Sequence, residues 1–205
     1  MLFSGRRWQF LCGLVLALLL MTATGAEASF STVVIDAGHG GHDRGGIPGQ
    51  RASEKAATLG VALRLQKILR ANGLHTVMTR SGDYFVSLPG RVAIANAQRH
   101  AVFVCIHFNS ATREGAMGIE TYYYSRSSRS LATAIHSAVV RAAGTPNRGL
   151  RVRGYYVLRK NRIPAVLVEC GFLTNPLEAR RAQSGEYLDR LARAIASAVL
   201  RASGR

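Results

Sequence analysis

Three side chains that could do chemistry sit where strand-like runs end. His39 follows the β-branched run at 32–36 (TVVID), His107 closes the apolar run at 101–107 (AVFVCIH), and Glu169 lies near the end of 165–170 (AVLVEC). An acid inside an apolar run is costly unless it is paired or functional, so Glu169 stands out on its own. Metal-assisted hydrolysis needs few residues. A catalytic zinc takes three ligands of the His or carboxylate type and leaves one position for water. The ion brings the pKa of that water to about 7 and polarises the carbonyl under attack. A nearby carboxylate then carries the proton to the leaving amine. Two histidines, one acidic ligand and one acidic base make the minimum set. The chain has six histidines and eleven acids, enough to supply such a set by chance, so the elements must show which of them can meet.

The pattern alternates strand and helix. The run at 32–36 breaks at Gly38 into a Gly-rich loop holding Pro48, through residue 53. Over 54–71, Val61, Leu65, Ile68 and Leu69 recur at the spacing of one helix face, and Asn72-Gly73 supplies a stop. Strands are expected at 75–80, 101–107, 118–124, Tyr155–Leu158 and 165–170. Helices are expected at 88–99, with Pro89 in the first turn, at 128–143 and at 186–200. The strands at 32–36, 101–107 and 165–170 are apolar on both faces. This predicts an α/β fold: a single domain whose mostly parallel central sheet of about six strands carries helices on both faces. Sites in such sheets gather at the carboxyl ends of the strands, which would bring His39, His107 and Glu169 together.

The first residues have another origin. Arg6 and Arg7, the apolar stretch 11–21 and the small-residue pattern Ala26-Glu27-Ala28 read as a secretory signal over 1–28. The apolar stretch is about half of the roughly 20 residues a spanning helix needs. An uncleaved anchor is the alternative. Cys12 precedes the apolar core and does not suit lipid attachment. The catalytic domain is then 29–205, in an exported protein of the periplasm, cell wall or extracellular space. Removing Arg6, Arg7 and Glu27 from the totals of 27 basic and 11 acidic residues leaves a formal charge of about +15. Such a field favours an anionic wall or membrane surface; no nucleic-acid motif is present, so nucleic acid is not an expected partner. Cys105 and Cys170 lie in apolar runs, where buried free thiols are ordinary.

Several blocks together resemble one family. TVVIDAGHGG at 32–41, Glu54-Lys55, RVAIAN at 91–96, CIHFNS at 105–110, GIETYYY at 118–124, NRGLRVRGYYVLR at 147–159 and PAVLVECGFLTNP at 164–176 resemble, in order, the motifs of the zinc-dependent N-acetylmuramoyl-L-alanine amidases with an open α/β sheet. The resemblance covers essentially all of 30–200. It implies Zn2+ held by His39, Glu54 and His107, with Glu169 as the catalytic carboxylate. It also implies peptidoglycan as substrate, cut at the amide between N-acetylmuramic acid and L-alanine. Asn109, two residues past His107, should lean to the same side of its strand and contact substrate. Ala37 departs from the family's usual proline. Some relatives insert a long blocking helix where this chain has only eight residues between Asn109 and Gly118, so no such autoinhibition is expected.

Blander roles compete with these. Glu54 could be a first-turn acid stabilised by the helix dipole. Asp36 could orient a ligand from behind or satisfy loop amides. His42, His75 and His136 suit loop, surface or core positions, and Tyr122–Tyr124 suit strand packing. Two other readings of the whole stay open: a zinc peptidase cutting within the stem peptide, and a basic wall-binding protein without activity.

Overall fold

A computed structural model describes residues 30–113 and 115–205. The expected signal segment, 1–28, lies outside the described residues. The strands are β1 (Thr32–Ala37), β2 (His75–Met78), β3 (Ala101–Asn109), β4 (Ile119–Tyr123), β5 (Asn147–Val152) and β6 (Ala165–Phe172). They form one sheet in the order β2-β1-β3-β6-β4-β5. The first four in that order run parallel. β4 turns antiparallel to β6, and β5 runs parallel to β4. The sheet is thus mostly parallel, with a reversed outer pair.

The helices are α1 (Glu54–Ala71), α2 (Leu88–Asn96), α3 (Arg129–Ala143), α4 (Tyr156–Arg159), α5 (Pro176–Ala182) and α6 (Gly185–Ala202). Side chains alternate across a strand, and β1 divides accordingly. Val33, Ile35 and Ala37 join the larger core, under α1, α3 and α6, while Val34 joins the smaller one, under α2 and α4. β3 and β6 divide the same way, which is why their sequences read as unbroken apolar runs. α6 shows the clearest single stripe: Leu188, Leu191, Ile195 and Val199 are buried against α1 and α3, each worth about 1.5–3 kcal/mol of burial. No helix among the described residues is long and apolar enough to cross a membrane.

Two expectations fail. Tyr155–Leu158 is not a strand: Tyr156–Arg159 is a single helical turn, with Val157 and Leu158 buried in the smaller core. Aromatic and β-branched residues favour strands only where a pleated neighbour is available; here the sheet already ends at β5, and the chain turns over its face. The sixth strand is instead Asn147–Val152, which carries Gly149 and two arginines. As an exposed edge it needs no apolar alternation, and charged side chains suit it. The remaining elements differ from expectation by a few residues at their ends. α5, capped by Asn175, whose side chain accepts from the amides of Leu177 and Glu178, was not expected at all.

Candidate active site

β1 delivers the chain into the Gly-rich loop, and the backbone there is under constraint. His39 adopts a φ of 62°, the left-handed region that non-glycine residues rarely occupy. Two buried arginines hold it. Arg80 donates to the carbonyls of Ala37 (2.9 Å) and Gly38 (2.7 Å), and Arg91 donates to those of Ala37 (2.6 Å) and His39 (2.7 Å). A strained residue persists when its surroundings over-determine it, and this double clamp does so. Gly38 is required for a different reason: a Cβ there would lie 2.5 Å from the His107 ring.

His39, Glu54 and His107 converge as the sequence suggests. One donor atom from each lies within 4.8 Å of the other two. Glu54, at the start of α1, places Oε1 3.1 Å from His39 Nε2 and 3.0 Å from His107 Nδ1, and accepts from the Phe108 amide at 3.1 Å. The two imidazoles meet edge to face, 4.7 Å apart. Burial alone would raise the Glu54 carboxyl. The hydrogen bonds from His107 and His39 outweigh it and bring Glu54 down to about 2. His107 is raised: burial pulls it down, but the Glu54 hydrogen bond and the Glu169 charge prevail. Two imidazoles and one carboxylate are a donor set that suits zinc. The cradle is tight, since a Cβ on Gly45 would lie 2.5 Å from Glu54 Oε2 and 2.7 Å from the His39 ring.

Asp43 orients this cluster, a role the sequence reading offered to Asp36. Both Asp43 oxygens lie 2.9 Å from His39 Nδ1. That leaves Nε2 directed at Glu54. Asp36 is buried behind the site and accepts from Thr79 Oγ1 (2.5 Å), Arg91 Nη1 (2.6 Å) and Cys105 Sγ (2.9 Å). It anchors Arg91 rather than a histidine. The clue to Asp43 was its place four residues after His39, in a loop that must fold back on itself.

Glu169 stands beside His107 in strand register, and Glu120 stands on its other side. His107, Glu169 and Glu120 thus form a row on one face of the sheet, although β4 runs the opposite way. Glu169 Oε2 is buried and has no hydrogen-bond partner among the described residues. Burial raises this carboxyl to about 7, His107 opposes the shift, and the charges of Glu54 and Glu120 add to it. Glu120 is fully engaged: Asn109 Nδ2 (3.0 Å), Tyr122 Oη (2.5 Å) and Arg148 Nε (3.1 Å) all donate to it. Asn109 lines the cavity, yet its amide nitrogen is held by Glu120 and its oxygen accepts from the Ser110 amide. Sequence reasoning missed Glu120, although it carries the same signal as Glu169, an acid inside an apolar strand.

The cluster opens into a cavity of about 440 Å³, bounded by Phe85, Leu88, Tyr155 and Tyr156 as well as the polar residues. That size suits a small ligand or a segment of a larger one. His42, His75 and His136 lie outside the cluster. His42 packs on Phe85 with ring centroids 4.2 Å apart, and His75 is exposed on β2. His136 is buried between Thr121 Oγ1 and Asn147 Oδ1. Tyr122 is packed in the sheet as expected, whereas Tyr124 is exposed. Cys105 and Cys170 are buried free thiols, and burial pushes both up.

Comparison with known proteins speaks to family and fold. A family model described as N-acetylmuramoyl-L-alanine amidase matches residues 33–201. The chain is 38% identical to the uncharacterized protein YqiI of Bacillus subtilis, over 92% of this chain and 93% of YqiI. It is 39% identical to the probable cell wall amidase LytH of Staphylococcus epidermidis, over 72% of this chain and 50% of LytH. The chain therefore spans about half the length of that relative. Among solved structures, the catalytic domain of CwlV, an N-acetylmuramoyl-L-alanine amidase from Bacillus (Paenibacillus) polymyxa, superposes with a TM-score of 0.78. It shares 36% identity, over 84% of this chain and 97% of that domain.

Proposed function

The chain belongs to the N-acetylmuramoyl-L-alanine amidase family, and from that premise we propose that it is a zinc-dependent peptidoglycan amidase. The bond cut is the amide between the lactyl group of N-acetylmuramic acid and the L-alanine of the stem peptide. The observation that carries the reading is the pairing of a three-donor cluster, His39, Glu54 and His107, with a carboxylate oxygen on Glu169, one strand away, that has no partner among the described residues.

His39, Glu54 and His107 would hold the ion, which supplies a Lewis acid that acidifies water and polarises a carbonyl. The protein's own groups do the rest. Glu169 takes a proton from the attacking water at Oε2 and returns it to the alanine nitrogen as the amide breaks. Burial raises this carboxyl to about 7 in the metal-free fold, and a cation held beside it would lower that value toward the ionised form that accepts the proton. Asp43 fixes the ring of His39. Asn109, held by Glu120, lies within reach of substrate in the cavity. The expected setting is the cell wall of an exported protein, in line with the names of the cell wall relatives.

The test is incubation of the protein with purified peptidoglycan and mass spectrometry of the soluble products. Stem peptides with free L-alanine amino ends are expected, lost with a chelator, restored by zinc and absent for Glu169→Ala. Products cut within the stem peptide would favour the peptidase reading instead. Absence of any product from folded, zinc-loaded protein would favour a wall-binding role.

A further inference from the structure

Large apolar side chains are exposed around the cavity mouth. Phe85 (45%), Leu88 (52%), Tyr155 (44%) and Tyr156 (36%) all line the same cavity as the donor cluster. An exposed apolar patch rimmed by polar residues marks a binding surface more often than chance. Two of the rings are also held from behind. Phe85 packs on His42 with centroids 4.2 Å apart. Tyr155 meets Tyr122 edge to face at 5.2 Å, and Tyr122 is itself fixed by its hydrogen bond to Glu120. The segment carrying Phe85 is strapped to the Gly-rich loop. Asp83 accepts from the Gly41 amide (2.8 Å) and from Lys55 Nζ (2.7 Å), which also donates to the Gly41 carbonyl. A Cβ on Gly41 would lie 2.7 Å from the Phe85 nitrogen, so the two loops approach as closely as glycine permits.

The molecule therefore exposes rings in fixed orientations, at the cost of apolar surface in water. That cost is offset only if something covers them. The strapping ties the Phe85 ring to the loop that carries His39, so a group on this ring is placed relative to the donor cluster.

We propose that Phe85 and Tyr155 form a sugar-stacking platform that seats the glycan side of the substrate. A pyranose ring presents a face of axial C–H groups to an aromatic ring, and its equatorial hydroxyls stay in water or reach polar neighbours. Peptide segments offer less: the stem peptide is short, charged and without aromatic side chains, so it gains little from two rings. The platform explains why the rings are held rather than mobile, since a preorganised surface loses less freedom on binding. The inference rests on the amidase reading for its choice of ligand.

The test uses the Glu169→Gln protein, which should bind without cutting, titrated with peptide-free glycan made of alternating N-acetylglucosamine and N-acetylmuramic acid. Free stem peptide is titrated separately. Phe85→Ala and Tyr155→Ala should each weaken glycan binding about tenfold and leave stem-peptide binding unchanged. Phe85→Tyr and Tyr155→Phe keep the rings and should bind like the parent. Leu63→Ala removes an equally exposed side chain on α1 and should have no effect. Equal glycan affinity in the parent and both ring-to-alanine variants overturns the proposal, as does a loss confined to the stem peptide. Melting curves separate a folding defect from a binding one, and the ring-preserving pair decides the matter if an alanine variant unfolds. Ring-dependent glycan binding in a wild-type protein that releases no stem peptide would leave the platform standing and remove the amidase reading.

Discussion

Glu169 and Glu120 face each other across the antiparallel pair β6 and β4, and they are treated oppositely. Glu120 receives hydrogen bonds from Asn109, Tyr122 and Arg148, while one oxygen of Glu169 receives none among the described residues. A saturated carboxylate beside an unsatisfied one divides labour: the first holds Asn109 in the wall of the cavity, and on the proposed reading the second keeps a lone pair for chemistry.

That division has a stability cost that can be measured. The Glu169 carboxyl is brought from an ordinary 4.5 to about 7 in the fold, chiefly by burial. An acid whose folded value is raised opposes folding increasingly as pH climbs from 4.5 to 7, and by a constant amount above that. Glu169→Gln should therefore stabilise the metal-free protein at pH 8, by on the order of 2–3 kcal/mol, and have little effect at pH 4.5. Urea denaturation at both pH values checks this. Equal effects at the two would show that ionisation of Glu169 is not what strains the site. The same variant should lose at least about 100-fold in turnover.

Asp43 acts through His39. Asp43→Asn removes a carboxylate that sits 2.9 Å from Nδ1, and zinc affinity should fall about 10–100-fold. Competition against a chromogenic chelator reads this without any assay of activity. Unchanged affinity would assign Asp43 to loop structure alone.

Arg91 and Asp36 are both buried, with an Nη1 to Oδ1 separation of 2.6 Å. Arg91→Ala strands the Asp36 charge and frees the His39 carbonyl. The expected loss is about 3–5 kcal/mol, seen as a lower midpoint in chemical denaturation. Asp36→Asn combined with Arg91→Met should recover part of that loss, because neither member of the pair is then left charged without the other, but the clamp on His39 stays broken and zinc binding is expected to stay weak.

The stretch from Ser110 to Met117 is short. The purified protein should release stem peptides with no second protein added, and a lysate fraction should raise the rate by less than about twofold. A large activation would mean that some other segment shields the cluster.

Much of this was legible in the sequence because the decisive positions obey local rules. His107 and Glu169 close apolar runs that only a strand covered on both faces explains, and Glu54 opens a helix whose stripe is unmistakable. What stayed hidden depends on pairing between distant segments. Asp43 acts only once its loop folds back to His39, Glu120 reaches the row only because β4 is reversed, and the strand at 147–152 escapes notice because an exposed edge needs no apolar alternation. The turn at Tyr156–Arg159 was misread because its composition favours extended chain while the position left no strand for it to pair with.

The clamp on His39 bears on when a metal can be captured. Arg80 and Arg91 reach carbonyls 42 to 54 positions earlier in the chain, and Glu54 is steadied by an amide 54 positions later. An unfolded chain holds His39, Glu54 and His107 far apart, with nothing to turn the His39 backbone. On the zinc reading, loading is expected to follow closure of the sheet, and zinc uptake would then serve as a readout of finished folding.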